Sequence, residues 1–367
     1  MTDTRPASDM LPEEREERTV SSESVARPAS AGMTTGVVGH EDPMQVASHD
    51  MELTYEHGVE LEARSQWAYA RMRFFRHKLA VASLIILIGF GLVALFAGQI
   101  APHTEDWQPP FDANYLNTLN QSPTFDGWFI FGTDQLGRDY FSRVIYGIQT
   151  SLGVAIVVAL LATFIGTVIG AVAGYYGGAI DNGLMRFTDL ILTVPGLAVL
   201  LVAAAYLGSS SVEVPLGITS FSIPQPMVIG LILAFLFWTG ISRIVRGLFL
   251  SLREKEFVEA AKASGAGDRR IIVRHILPNC VGPIVVNTTL IIAAAILVEA
   301  ALSFLGFGIQ PPESSVGKLI ADGQQQGPDQ WWLILFPGLV ITTIALCVNF
   351  VGDGLRDALD PTQRVRA

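Results

Sequence analysis

The stretch Glu254–Asn279 reads EKEFVEAAKASGAGDRRIIVRHILPN and lies between two apolar segments of the chain. It contains, in order, Glu259-Ala260-Ala261, Gly265, Asp268 and Leu277-Pro278. We expect a short helix that Gly265 ends in a left-handed conformation, which glycine adopts at little cost. Asp268 then suits the N-terminal end of a second helix. Two short amphipathic helices joined at a glycine, on the water-facing side of a bundle, would form a surface that binds a soluble partner.

The composition of the chain is that of a membrane protein. Half of the 367 residues are hydrophobic, 16% are charged, and the mean hydropathy is +0.42. A helix needs roughly 20 apolar residues to cross about 30 Å of hydrocarbon. Six segments qualify: Leu79–Ile100, Ser151–Tyr175, Thr188–Leu207, Met227–Ile244, Ile284–Phe304 and Trp332–Val351. We therefore predict an all-α polytopic membrane protein with six transmembrane helices.

The distribution of basic residues predicts the orientation of the chain. With the N-terminus inside, the cytoplasmic segments hold 21 of the 24 lysines and arginines, and only Arg138, Arg143 and Lys318 lie outside. This asymmetry is the one expected of cytoplasmic loops. We predict that both termini are cytoplasmic, in the plasma membrane of a bacterium.

The charge pattern also divides the chain into parts. Residues 1–62 hold 14 acidic residues and four arginines, so we expect a disordered acidic cytoplasmic tail. The basic and aromatic residues after it indicate an interfacial helix that contacts lipid. The predicted parts are 1–62, the tail; 63–100, the interfacial helix and first span; 101–147, an extracytoplasmic loop; 148–353, a core of five helices; and 354–367, a cytoplasmic C-terminal tail.

Signatures of an enzyme are missing from the sequence. The pair Gly317-Lys318 lacks the upstream glycine of a phosphate-binding loop, and no H-E-x-x-H or paired Cys-x-x-Cys motif occurs. We predict no catalytic residue, no cofactor, no metal site and no nucleic-acid partner. Energy for any work would then come from a partner protein or from an ion gradient.

The ionisable residues inside the predicted spans bear on that choice. An ion-coupled secondary transporter places such groups near the middle of the membrane. Asp189 is close to the cytoplasmic end of the third span, whereas Glu299 is about 15 residues, or roughly 22 Å, into the fifth. Two carboxylates at opposite ends make a poor proton relay, which favours an energy-supplying partner. Glu299 could line a substrate route or pair across helices, and Asn287 is a further polar candidate for the pore.

Small residues and proline predict local features of the spans. Pro195 lacks an N–H group and should kink the third span, which could serve gating or packing alone. Gly166, Gly170 and Gly174 allow close helix contact, either with a sister subunit or within the chain. Ahead of the second span, Asp134, Arg138 and Asp139 are expected to be tied together in a structural turn.

Four further stretches accompany Glu254–Asn279 in the order of the chain. They are GTDQLGRDYFSRVIYGIQTSL (Gly132–Leu152), GYYGGAIDNGLMRFTDLILTVP (Gly174–Pro195), ALSFLGFGIQPPESSVGKLI (Ala301–Ile320) and WWLILFPGLVITTIALCVNFVGDGLRDALDP (Trp331–Pro361). Over about residues 70–361 the chain resembles the dipeptide/oligopeptide/nickel permeases of ABC importers, specifically the second, C-type permease subunit. It departs from the usual pattern at His275, where isoleucine is common, and at Glu313-Ser314-Ser315-Val316, where proline and tryptophan are frequent.

The resemblance implies a type I ABC importer (MetI-like) permease fold, with residues 148–353 as its transmembrane core. It identifies Glu254–Asn279 as the EAA-like loop, which couples the pore to ATPase subunits. The coupling residues would be Glu259, Ala260, Ala261, Gly265, Asp268, Leu277 and Pro278. The implied partners are a homologous sister permease, two P-loop ATPases and an extracytoplasmic substrate-binding protein.

The substrate stays open at this level. Di- or oligopeptides are our first expectation, and a nickel chelate, glutathione or another small solute is the alternative within the same family. An ion-coupled secondary transporter and a membrane scaffold without transport are the alternatives from other classes.

Overall fold

The computed structural model describes residues 66–112, 115–124, 129–207, 212–216 and 219–359. The predicted acidic tail, residues 1–62, and the end of the predicted C-terminal tail, residues 360–367, lie outside the described residues. The helices, in chain order, are α1 (Gln66–Arg76), α2 (Lys78–Leu95), α3 (Ala97–Ile100), α4 (Tyr115–Thr118), α5 (Tyr140–Tyr176), α6 (Gly178–Thr193), α7 (Gly196–Leu207), α8 (Gln225–Leu252), α9 (Glu256–Ala263), α10 (Asp268–Arg270), α11 (Leu277–Phe304), α12 (Val316–Gln326) and α13 (Trp332–Leu359). A π-helical segment, Ile271–Ile276, joins α10 to α11, and a 3-10 turn, Pro328–Gln330, precedes α13.

Five helices of the described chain are long and apolar enough to cross a membrane. They are α2, α5, α8, α13 and the continuous helix Asp268–Phe304. Helices α6 and α7 meet the same criteria only as a pair, which is bent by 79°. The six predicted spans therefore correspond to five helices and one broken pair.

The break between α6 and α7 follows from Pro195. Proline disfavours helical backbone at the residue before it, and Val194 is extended, with φ −79° and ψ 133°. The kink predicted at Pro195 is present, and it ends one helix before another begins.

Two predicted domain boundaries fall inside helices. Helix α5 begins at Tyr140, ahead of the predicted core start at residue 148, because the Asp139 carboxylate accepts hydrogen bonds from the N–H groups of Phe141 (3.2 Å) and Ser142 (3.1 Å). Helix α13 runs to Leu359, past the predicted boundary at residue 353. Hydropathy marks the apolar part of a helix, whereas a capping residue marks its beginning.

A β-hairpin departs from the all-helical expectation. Strand β1 (Val212–Leu216) pairs antiparallel with β2 (Thr219–Ile223), so that Val212 lies opposite Ile223 and Leu216 opposite Thr219. The hairpin connects α7 to α8. Valine, threonine and isoleucine in these two short runs favour strands, a signal that a search for long apolar helices does not detect.

Helices α5 and α8 form the central seam of the bundle. A Cβ atom added at Gly166, Gly170 or Gly174 would lie only 2.4–2.7 Å from a backbone oxygen of Trp238, Ser242 or Arg246. The glycines thus allow α5 to approach the backbone of α8 directly. The sequence left open whether these glycines contact a sister subunit or another helix of the same chain. In the structure they contact α8 of the same chain.

The course of α5 separates two ends of the bundle. At its start the Tyr140 hydroxyl donates to the carbonyl of Leu333 (2.6 Å), near α12. At its other end the Tyr175 hydroxyl donates to Asp268 (2.8 Å), in the EAA-like loop. We call the first the α12 end, with residues 101–112, 115–124, 129–151 and 299–331, and the second the EAA-loop end, with residues 174–189 and 243–276.

Candidate functional site in the EAA-like loop

Helix α9 carries the Glu259-Ala260-Ala261 motif on a short exposed helix, as predicted. Val258 is fully buried and anchors the helix to the bundle, whereas Glu259 and Ala260 are exposed and Ala261 is half-buried. One face is thus fixed by an apolar contact, and the opposite face offers a carboxylate beside small side chains. Small side chains let another backbone come close to the helix.

Gly265 ends α9 in the predicted left-handed conformation, with φ +77°. Its N–H group donates to the carbonyl of Lys262 (2.9 Å), and that of Ala266 donates to the carbonyl of Ala261 (3.0 Å). This pair of bonds is the Schellman motif, which satisfies the last carbonyls of a helix. A Cβ at Gly265 would meet nothing within 4 Å, so only the backbone conformation demands glycine here.

The loop surrounds an open groove of about 400 Å³. Its apolar part comes from Phe257, Ala260, Ala261 and Ala266, and Arg270 and His275 bring cationic or polar groups to the same groove. Arg269, Arg270 and Arg274 are all exposed. An apolar groove beside exposed arginines suits an apolar side chain of a partner surface that also carries acidic groups.

Asp268 lies at the N-terminal end of α10, as expected, but its side chain does not cap the helix. Its carboxylate accepts the hydrogen bond from the Tyr175 hydroxyl, and the Lys262 ammonium lies 6.0 Å from the centre of the same tyrosine ring. Arg253 donates to the carbonyls of Gly174 (3.2 Å) and Tyr175 (3.4 Å). The end of α5 is therefore the support on which the loop rests.

Sequence reasoning missed Tyr175 and Arg253 as members of this site. Tyr175 belongs to an apolar run, and Arg253 to a group of basic residues read only for orientation. The Tyr-Tyr pair that ends the second span was the available signal, since a tyrosine hydroxyl at a helix end usually finds a polar partner.

Leu277-Pro278 occurs inside a continuous helix, which corrects the expected pair of short helices. The helix Asp268–Phe304 begins in the loop and crosses the bundle. Pro278 has no N–H group, and the backbone just before it adopts π-helical bonding, in which Leu277 donates to the carbonyl of Ile272. A movement of the loop therefore acts directly on α11.

The pore candidates fall into different environments. Asp189 forms an ion pair with Arg243 (2.5 Å), and both side chains are about half exposed. Asn287 is half-buried and donates to the carbonyl of Pro283 in its own helix (2.8 Å). Pro195 lies in the exposed stretch 192–198. Glu299 is only 1% exposed and bonds to Ser151 and Ser303, so the geometry supports pairing across helices rather than lining of a route.

The α12 end holds a buried polar cluster. The Asp134 carboxylate pairs with Arg138 (2.7 Å) and with Arg143 (2.8 Å), whose side chain is 4% exposed. The predicted tie of Asp134 to Arg138 is present, but Asp139 instead caps α5. Burial raises the pKa of Glu105 at this end, and the N–H group of Ser314, which donates to the carboxylate, offsets part of that rise.

Two adjacent tryptophans at the α12 end differ in burial. Of the pair Trp331-Trp332, Trp331 is exposed, whereas Trp332 is buried and its indole N–H donates to the carbonyl of Thr133 (3.3 Å). Trp332 is thus part of the core.

Comparison with known proteins assigns the family. Residues 166–365 match the family described as "Binding-protein-dependent transport system inner membrane component". The chain belongs to this permease family. Residues 65–123 of the permease also match "N-terminal TM domain of oligopeptide transport permease C". The predicted type I ABC importer fold and the predicted C-type permease subunit are confirmed. The prediction that the chain is a multi-pass membrane protein is confirmed as well.

Named relatives cover most of the permease. It is 40% identical to the "Oligopeptide transport system permease protein OppC" of Haemophilus influenzae, over 83% of this chain and 92% of the relative. Identity to the protein of the same description from Mycobacterium tuberculosis is 39%, over 80% and 93%. A solved structure, "Inward facing conformations of the MetNI methionine ABC transporter: CY5 native crystal form", shares 16% identity at a TM-score of 0.43, over 60% of this chain and 97% of that chain.

Proposed function

We propose that this permease forms half of the pore of an ATP-driven importer of di- or oligopeptides. The observation that carries the proposal is the structure of the EAA-like loop. Its exposed Glu-Ala-Ala helix ends at Gly265, and the helix that begins next, at Asp268, continues without a break into α11. A soluble ATPase that binds the loop can thereby move a membrane helix. The peptide substrate rests on the named relatives, which are oligopeptide permeases.

The proposed partners rest on the permease family to which the chain belongs. Two P-loop ATPases would bind the EAA-like loops of this permease and of a homologous sister, and an extracytoplasmic binding protein would deliver the substrate. The broken pair α6–α7 supports a sister subunit, because broken backbone at membrane depth is tolerated only where protein or water covers it. The exposed stretch 192–198 at the break would lie against the sister or along the pore.

Orientation is part of the proposal. We place the EAA-loop end and both termini in the cytoplasm, with the α12 end outside. A cysteine at Leu116, which is 77% exposed, should react with a membrane-impermeant maleimide in intact cells. A cysteine at Ala266 should react only after the membrane is opened, and labelling of Ala266→Cys in intact cells would reverse the assigned orientation.

The decisive experiment is transport by the reconstituted complex. The permease, its sister, the ATPases and the binding protein in proteoliposomes should accumulate a labelled tripeptide when ATP is supplied, and a protonophore should not abolish uptake. Uptake that needs an ion gradient instead of ATP would identify a secondary transporter. Competition by a nickel chelate or by glutathione, without competition by peptides, would assign the alternative substrates.

Gly265→Val tests the coupling role of the loop. Valine is strained at φ +77° by about 1–2 kcal/mol, so the loop after α9 should shift. We expect normal insertion but a loss of about 5- to 30-fold in substrate-stimulated ATP hydrolysis. Gly267→Val is the matched control, because Gly267 has the same open surroundings but φ −71°. Equal coupling in both variants would show that the loop does not transmit ATP-driven motion.

A further inference from the structure

Glu299 is a buried carboxylate that the importer mechanism above does not use. It lies in α11 and is 1% exposed. One carboxylate oxygen accepts a hydrogen bond from the Ser303 hydroxyl (2.7 Å), and the other accepts one from the Ser151 hydroxyl on α5 (3.1 Å). Both serines are themselves buried. A carboxylate held by hydroxyls of two helices fixes how α5 and α11 meet.

The same two serines also bond to backbone N–H groups at the α12 end. The Ser303 oxygen accepts a hydrogen bond from the N–H group of Ile309 (3.3 Å), and the Ser151 oxygen accepts one from the N–H group of Val316 (3.1 Å). A hydroxyl that donates to a carboxylate is a better acceptor for a second donor, since chains of hydrogen bonds polarise one another.

A third serine extends the network into the start of α12. The Ser315 hydroxyl lies 3.3 Å from that of Ser303, and its oxygen accepts the N–H group of Lys318 (3.2 Å) as the cap of α12. Through three serines, Glu299 therefore reaches backbone N–H groups on both sides of the connection from α11 to α12.

The segment between α11 and α12, residues 305–315, is packed tightly against this network. A Cβ at Gly308 would lie 1.9 Å from the Ser303 hydroxyl. Just after the segment, in the first turn of α12, a Cβ at Gly317 would lie 2.4 Å from the Cα of Ala300. Gln225, at the start of α8, also accepts from the N–H group of Gln310 (3.0 Å) and donates to the carbonyl of Gly308 (3.2 Å). The segment is thus seated on α5, α8 and α11 at once.

We propose that Glu299 is a positioning residue that holds segment 305–315 closed over the helix bundle, and thereby restrains the α12 end from opening during transport. The proposal rests on the proposed function, in which this end receives substrate. Release of the serine hydroxyls from the carboxylate would free the backbone N–H groups of the segment while the EAA-like loop stays intact. Loss of Glu299 should therefore uncouple ATP hydrolysis from the binding protein.

The test uses Ile309 as a reporter, because its side chain is fully buried in the segment. Ile309→Cys is introduced into the complete importer complex, with Cys280 and Cys347 replaced by alanine, and its rate of reaction with a maleimide is measured. Adding Glu299→Gln should raise that rate about tenfold, the effect of losing a hydrogen bond to a carboxylate. The ratio of basal to stimulated ATP hydrolysis should rise in the same variant.

Ser303→Ala provides a second variant if Glu299→Gln fails to assemble. It keeps the carboxylate and its bond to Ser151 but breaks the link to Ile309, so faster labelling is again expected. Ser242→Ala is the matched control, since Ser242 is a buried serine whose hydroxyl donates to the carbonyl of Thr239 within its own helix (2.8 Å).

The outcomes separate positioning from general stability. A residue that only stabilised the fold would reduce the amount of assembled complex and leave the ratio of the two hydrolysis rates unchanged. Wild-type labelling and wild-type ratios in both Glu299→Gln and Ser303→Ala, or equal acceleration by Ser242→Ala, would overturn the proposal. Because the labelling assay contains no substrate, absence of peptide uptake by the wild-type complex would count against the proposed function and not against this role of Glu299.

Discussion

The two ends of the bundle hold their polar side chains in opposite ways. At the α12 end, Asp134, Arg143 and Glu299 are buried and bonded to several partners each. At the EAA-loop end, the pairs Asp189–Arg243 and Tyr175–Asp268 are exposed, whereas the pair Asp181–Arg246 joins a buried carboxylate to a half-buried guanidinium. Buried charges are costly to leave unpaired, whereas exposed pairs exchange partners with water at little cost. The α12 end is therefore the more tightly paired of the two, and the EAA-loop end has more side chains that can change their contacts.

The strongest test of this contrast is Asp134→Ala. It leaves the Arg143 guanidinium buried without its 2.8 Å partner, and Arg138 without its 2.7 Å partner. Loss of one member of a buried pair costs about 3–5 kcal/mol. We expect a large drop in the unfolding temperature of the detergent-purified permease and a low yield of folded protein. Asp106→Ala, a change at an exposed acid of the same end, is the control and should unfold like the wild type.

A second test concerns the seam that connects the two ends. Gly170→Ala would add a methyl group only 2.4 Å from the carbonyl oxygen of Ser242. Because this distance is too short, α5 and α8 must separate. Overpacking of this kind costs about 1–3 kcal/mol. Gly153→Ala, in the same helix but with nothing within 4 Å, should be neutral or slightly stabilising in the same thermal unfolding assay. Equal stability of the two variants would show that the seam can yield, and the ends could then move independently.

The smallest effect is expected from Asp189→Ala at the EAA-loop end. Its ion pair with Arg243 is short, but the two side chains are 54% and 50% exposed. Exposed pairs contribute about 0–1 kcal/mol, so the unfolding temperature should change little and should depend weakly on salt. A loss as large as that of Asp134→Ala would mean that this end is as tightly constrained as the other and that the contrast is wrong.

The local features of the EAA-like loop could be predicted because they depend on neighbouring residues. A glycine after a helix-forming run predicts a left-handed helix end, and Gly265 has it. A proline inside an apolar run predicts a break, and Pro195 makes one of 79°. The support under the loop could not be predicted, because Tyr175 and Asp268 are 93 residues apart and meet only through the packing of α5 against the bundle.

The same limit explains the expectations that were wrong. Asp139 is next to Arg138, and proximity in sequence suggested that both belong to one cluster. In the structure the side chain of Asp139 accepts hydrogen bonds from the first N–H groups of α5, whereas Asp134 pairs with Arg143. The second helix of the EAA-like loop was expected to be short and separate from the fifth span, which was predicted to begin at Ile284. In the folded chain a π-helical segment accommodates the proline, and the helix continues into α11.

The sequence by itself determined that this chain has about six apolar spans, that it is a permease of the binding-protein-dependent family, and that its EAA-like loop turns at Gly265. Those properties follow from hydropathy, motif order and backbone preference, which act over short distances along the chain. Only the tertiary structure decided that the glycine stripe of α5 faces α8, that Tyr175 bonds to Asp268 in the EAA-like loop, and that the Glu299 carboxylate accepts hydrogen bonds from Ser151 and Ser303. Each of these depends on which faces of distant helices meet, and burial of polar groups in a bundle favours arrangements in which most of these groups form hydrogen bonds.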